Sequence, residues 1–155
     1  MSQREKIRLT DAEVRDFLEH SRTMIIVSNG HDGVPHPMPM FYAVEDDGAI
    51  VMTTYTKSQK IQNLMRDPRV SLLVEDGEAY SELRGVVLYG TAELIDSTDT
   101  VMQFLATIAA QRGEGADESE AALAGRYRMA SKRTGIRVRP ERVVSWDHRK
   151  LVGAQ

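Results

Sequence analysis

The chain has 155 residues, a formal net charge of −3, 41% hydrophobic and 28% charged residues, and no cysteine. That length suits one domain, residues 1–155, with a full core, and that composition an ordinary soluble globular protein. It excludes a disulfide framework, a thiolate zinc site and a cysteine nucleophile, and the acidic balance argues against general nucleic-acid binding.

In chain order, Met1 to Thr10 lacks an apolar core of signal-peptide length, and no apolar run could span a bilayer. The expectation is a cytoplasmic protein with no membrane partner. Thr10 to His20 reads as a first helix: Thr10 and Glu13 make a capping box, and Val14, Phe17 and Leu18 an apolar face. Thr23 to Ser28 is a strand, and Asn29 to Gly33 a hairpin turn rich in residues that tolerate positive φ. The strand expected from Val34 to Val44 carries prolines at 35, 37 and 39, so its missing N–H groups lie on one side. Proline is confined to sheet edges and bulges. The free rim either meets an approaching ligand or guards against aggregation.

Ile50 to Thr54 is a β-branched, half-buried strand. Ser58 stands as the N-cap of a helix with Ile61, Leu64 and Met65 at helical spacing, and Pro68 stops it. The stretch T-K-S-Q-K places Lys57, Ser58 and Lys60 where that helix begins. A helix N-terminus carries partial positive charge and free N–H groups, so this is a candidate phosphate seat. The competing reading is a solvated helix start with two surface lysines.

Arg69 to Val74 is a further strand, and Tyr80 to Ile95 a long strand or a pair bent at Gly85 or Gly90. Ser97 to Gln111 is a helix with Val101, Phe104, Leu105 and Ile108 on one face, and Ala121 to Lys132 another. Gly135 to Val138 and Arg142 to Trp146 are late strands separated by Pro140. Short strands, tight turns and a few helices indicate a mainly β fold: a small barrel with flanking helices.

Four stretches carry a resemblance: H-D-G-V-P-H-P-M-P-M, K-S-Q-K-I-Q-N-L-M-R-D-P-R-V-S, R-G-V-V-L-Y-G-T-A-E-L and R-V-V-S-W-D-H-R-K. Through them the chain resembles the pyridoxamine 5'-phosphate oxidase-like split β-barrel flavoproteins, and within them the actinobacterial flavin/deazaflavin oxidoreductases that use coenzyme F420 or FMN. The resemblance implies a six-stranded split β-barrel and a homodimer with two cofactor sites at the interface. It places the cofactor phosphate on Ser58 and Lys60, with Lys57 close by. The ring would lie along His36, Pro37, Met38, Pro39 and Met40 and against Thr53 and Thr54. The true oxidases have a basic residue at the position of Gln59 and an arginine-led strand in place of H-P-M-P-M-F, which argues against vitamin B6 oxidation. The expectation is an F420-dependent reductase of a conjugated small molecule. The alternatives are an FMN oxidoreductase or oxidase and a cofactor-binding protein without catalysis.

His36, Tyr80 and His148 are candidate proton donors, against the competing reading that each is a packed, hydrogen-bonded residue, the commoner role of a lone His or Tyr on a strand. Trp146 either covers a partner chain's cofactor or packs at the barrel's end. No G-x-S-x-G elbow and no metal-ligand cluster are present. Arg126, Arg128, Lys132, Arg133, Arg137, Arg139 and Arg142 make the last third basic, the one feature favouring a nucleic-acid barrel. The 6% aromatic content leaves it few stacking platforms.

Overall fold

The computed structural model describes residues 1–151. Seven strands form one antiparallel sheet: β1 (Thr23–Asn29), β2 (Pro35–Phe41), β3 (Ala43–Val44), β4 (Ile50–Tyr55), β5 (Arg69–Asp76), β6 (Arg84–Ile95) and β7 (Arg133–Asp147). The helices are α1 (Gln3–Lys6), α2 (Asp11–His20), α3 (Gln59–Arg66), α4 (Thr98–Gln111) and α5 (Glu120–Ala130). No helix of the described residues is long and apolar enough to cross a membrane.

The strand order is β2-β1-β5-β6-β7-β4-β3. β2 and β3 therefore stand at opposite edges, yet only Tyr42 separates them in the chain. The sheet has to curl until its edges meet, which is the split barrel with flanking helices that was expected. The count is seven strands rather than six because the expected Val34–Val44 strand divides at Tyr42. Its first part pairs with β1 and its last two residues with β4. Tyr42 is fully buried, and its hydroxyl donates to the carbonyl of Leu18 on α2. β1 begins at Thr23, opposite Phe41, so past that point the segment has no neighbour on its β1 side. Gln111 of α4 replaces it. Its Oε1 accepts from the Val44 N–H at 2.8 Å, and its Nε2 donates to the Tyr42 carbonyl at 3.4 Å.

Residues of period two fill the barrel: Met24 and Ile26, Ile50 and Met52, Leu72 and Val74, Val86 and Leu88, Ile136 and Val138. Phe17 and Leu18 of α2 add to this core from one end, and Ile61 and Leu64 of α3 from the other. Met65, expected on that apolar face, is exposed; Asn63 turns inward instead and donates to Ser28 Oγ at 3.0 Å. α4 lays Phe104 and Ile108 over Val51 and Ala43, so β4 is covered on both faces. The two late strands are one. β7 runs through Pro140 because the pairing slips there: Tyr89 faces Arg142 and Gly90 faces Pro140, which leaves Glu141 as a bulge. Gly85 is required opposite Trp146, whose indole would collide with any Cβ there.

The corner at Tyr42 depends on one amide side chain. Gln111→Leu keeps the bulk and strands one donor and one acceptor, so urea unfolding should show a loss of about 1–3 kcal/mol. A loss within error would mean that water serves the corner equally well.

Candidate cofactor-binding site

The turn from β4 into α3 is tied to β7. The Ser58 N–H donates to the Tyr55 carbonyl at 2.9 Å, and the Thr56 N–H to the Lys132 carbonyl at 3.0 Å. Thr56 Oγ1 lies 2.9 Å from Thr134 Oγ1. Ser58 occupies the N-cap position with extended backbone, as expected, but its hydroxyl does not cap the helix. Ser58 Oγ is buried with no partner among the described residues. The hydroxyl and the first N–H groups of α3 are thus all left open.

Lys60, only 7% exposed, donates from Nζ to Thr54 Oγ1 at 2.8 Å. Burial, and then the nearby Arg133 charge, hold its ammonium below the usual lysine pKa range. Arg133, opposite Tyr55 in the β4–β7 register, stacks its guanidinium 4.5 Å from the Tyr55 ring centroid. Its Nη1 donates to Thr53 O and Oγ1 at 3.3 Å, and its Nε is buried without a partner among the described residues. Lys57 and Lys132 flank the turn, exposed. Among the described residues none of these four cations is paired with a carboxylate. Open donors and uncompensated positive charge at a helix N-terminus are what a phosphate needs.

A cleft of about 540 Å³ opens beside this seat. Pro39, Met40 and Phe41 line one side, Thr53, Thr54, Tyr55 and Arg133 the other, and Leu105 and Ile108 of α4 add an apolar wall. The structure thus brings together Pro39, Met40, Thr53 and Thr54, and Lys60 through Thr54. Pro37, Met38 and His36 lie further along β2; His36 faces Ser28, and its Nδ1 is buried without a partner among the described residues. Trp146 is elsewhere, packed on Gly85 and lining a groove of about 780 Å³ with Arg4, Arg8 and Arg142. Tyr80 and His148 stack with centroids 4.6 Å apart, and His148 Nδ1 lies 2.7 Å from the Tyr80 carbonyl. Neither lines the cleft of this chain.

Arg133, Phe41 and the α4 wall were not singled out as site residues from sequence. The cue was faint: two cations, Lys132 and Arg133, stand where a strand follows a helix, and only the β4–β7 pairing brings them to Tyr55. The rest of the basic run does not form one surface. Arg137 bonds Glu45 at 2.6 Å, Arg139 bonds Glu93 at 3.4 Å, and Arg142 stacks on Tyr89 at 4.0 Å. Among the described residues no group of three His, Asp or Glu is placed to hold a metal ion.

A family model described as pyridoxamine 5'-phosphate oxidase matches residues 10–147. The chain belongs to this family. A conserved hypothetical protein from Mycobacterium tuberculosis is 40% identical, with a TM-score of 0.87 over 98% of this chain and 93% of that one. A protein described as an F420 reductase is 22% identical, with a TM-score of 0.64 over 83% of this chain and 94% of that one. A FAD binding protein from Mycobacterium smegmatis is 18% identical, with a TM-score of 0.57 over 88% and 95% of the two chains. The last two share the family's fold with this chain. No curated protein gives a significant match.

A buried lysine without a counter-charge has a measurable signature in the free protein. Its lowered pKa means that the folded state binds fewer protons than the unfolded one. Stability should therefore rise with pH through the interval between the lowered value and the ordinary lysine value. Lys60→Met should abolish that slope and leave the protein as stable or more stable, by up to about 1 kcal/mol, in urea titrations across that interval. A large loss of stability would mean that the charge is already compensated.

Proposed function

We propose that the cleft binds a phosphate-bearing flavin or deazaflavin cofactor, and that the protein is a reductase of a conjugated small molecule with a preference for F420 over FMN. The observation that carries this reading is the pair formed by the buried, unpartnered Ser58 hydroxyl and the buried Lys60 ammonium at the start of α3. Ser58, Lys60 and the α3 N–H groups hold the phosphate; Lys57 adds charge from the rim. Arg133 reaches the same ligand with its free Nε. Pro39 and Met40 on one side, Thr53 and Thr54 on the other, orient a flat ring, with Pro37, Met38 and His36 further along the strand. Leu105 and Ile108 exclude water. When bound, the cofactor supplies hydride transfer to an unsaturated or carbonyl-conjugated acceptor.

Gln59 supports the preference for the deazaflavin. Its amide donates to Asn63 Oδ1 at 2.9 Å within the helix, so it adds no charge to the seat. FMN then lacks the basic contact that the true oxidases place at this position, whereas the deazaflavin has in addition an acidic tail that exposed cations such as Lys132 can meet. His36 is the best-placed proton donor of the three candidates, because its Nδ1 has no partner and its strand lines the cleft. Tyr80, His148 and Trp146 reach a cofactor only across a dimer interface. A second copy is supported by an apolar row on the outward sheet face: Ile25, Leu73, Val87 and Val144 stand in register across β1, β5, β6 and β7, and Val144 is 43% exposed.

Two experiments test this. Lys60→Ala should weaken binding of either cofactor by about 1–3 kcal/mol in calorimetric titration, and Lys57→Ala by less. Unchanged affinity in Lys60→Ala removes the seat. Parallel titration with F420 and FMN should favour F420, and the reduced complex should react slowly with oxygen in stopped flow. Tight FMN binding, no F420 binding and rapid peroxide release would instead identify an FMN oxidase.

A further inference from the structure

Three of the chain's five prolines, Pro35, Pro37 and Pro39, stand at alternate positions of β2. Their missing N–H groups fix how this strand is bonded. In the register with β1, Val27 faces Pro37 and Ile25 faces Pro39, so the bonds to β1 run through the even residues His36, Met38 and Met40. The backbone of residues 35, 37, 39 and 41 therefore points away from β1, toward the split.

β4 presents the opposite rim. Its even residues bond to β7, a ladder that the Thr56 N–H continues onto the Lys132 carbonyl at 3.0 Å. The backbone of Thr53 and Tyr55 then points toward β2. Ala43 already pairs with Val51, and the same register carried on would set Phe41 against Thr53 and Pro39 against Tyr55. All four residues line the one cleft, so the two rims face each other across it unzipped. The carbonyls of the β4 rim are occupied: Thr53 O by Arg133 Nη1, and Tyr55 O by the Ser58 N–H. The Thr53 and Tyr55 N–H groups have no turn or side-chain partner among the described residues.

We infer that Pro39, opposite Tyr55, and Pro37, one pair beyond the end of β4, are positioning residues that keep the split open: each can make only one of the two bonds of a ladder pair, so β2 does not zip onto β4 and the Thr53 and Tyr55 N–H groups stay free for a ligand. The ligand class is a planar ring with acceptor atoms along one edge, since the β4 rim offers donors whose own carbonyls are taken. The ring assignment rests on the proposed cofactor reading; the open rim does not. The prolines act here against closure within the chain, not against pairing with another molecule's edge.

Amide hydrogen exchange on the cofactor-free protein tests the rim directly. Met52 and Thr54, bonded to β7, serve as internal references. Thr53 and Tyr55 should exchange about a hundredfold faster than these two. In Pro37→Val/Pro39→Val they should slow by about tenfold as the rims close, while FMN or F420 binding weakens about tenfold and inorganic phosphate binding at Lys60 does not change. Equal protection of all four amides in the unsubstituted protein overturns the inference, and this comparison holds even where the double variant fails to fold. A folded variant with unchanged Thr53 and Tyr55 exchange but larger assemblies in light scattering also overturns it, in favour of aggregation control. If neither cofactor binds the unsubstituted protein, the cofactor reading fails while the exchange contrast still decides the open rim.

Discussion

The segment from Pro35 to Val44 has to serve both edges of one sheet. Its even-numbered backbone groups bond β1 until β1 ends, and then Gln111 takes over at Tyr42 and Val44. Its odd-numbered groups pair with β4 only at Ala43. A continuous strand satisfied on both sides would have made a closed barrel with no entrance. Proline on one rim and a buried tyrosine at the corner give instead a barrel held shut at one end and parted at the other. The cleft is a consequence of that partition, and α3 begins beside it because β4 supplies one of its walls.

The buried charge at this opening contrasts with the chain's paired charges. Asp147 is buried, and the Arg149 guanidinium beside it holds its carboxyl below the usual carboxylate range. Arg137 is gripped by Glu45, and Lys150 by Glu13 at 2.7 Å. Each of those cations meets a carboxylate, whereas Lys60 meets only the Thr54 hydroxyl and shares its surroundings with Arg133. Burying an uncompensated ammonium costs stability. A chain of net charge −3 has carboxylates enough to neutralise it, so leaving it bare is consistent with a site that takes its counter-ion from a ligand.

Local chemistry was legible where it is governed by neighbours in sequence. The capping box at Thr10 and Glu13, the Asn29–Gly33 hairpin and the α3 stop at Asp67–Pro68 all appear as read. Long-range pairing was not. Nothing near Tyr42 announces that one strand will become two edges, because its β1 neighbour stops at Thr23 and the groups left over are met by Gln111, far along the chain. Pro140 reads as a strand break, and only the slip of register against Gly90 shows how a bulge absorbs it. The proposed phosphate seat was half legible. Ser58 and Lys60 share a turn with the helix start, but Arg133 joins them only through the β4–β7 ladder. Ser58 shows the limit of propensity: residue type gave the cap position, while the free hydroxyl is visible only in three dimensions.

A crystal structure of the protein with FMN or F420 bound tests the central claim most directly. The seat predicts the cofactor phosphate within hydrogen-bonding distance of Ser58 Oγ and Lys60 Nζ, with the ring between Pro39–Met40 and Thr53–Thr54. A phosphate held instead in the groove of Arg4, Arg8 and Arg142, with the Ser58 hydroxyl still unpartnered, would contradict it.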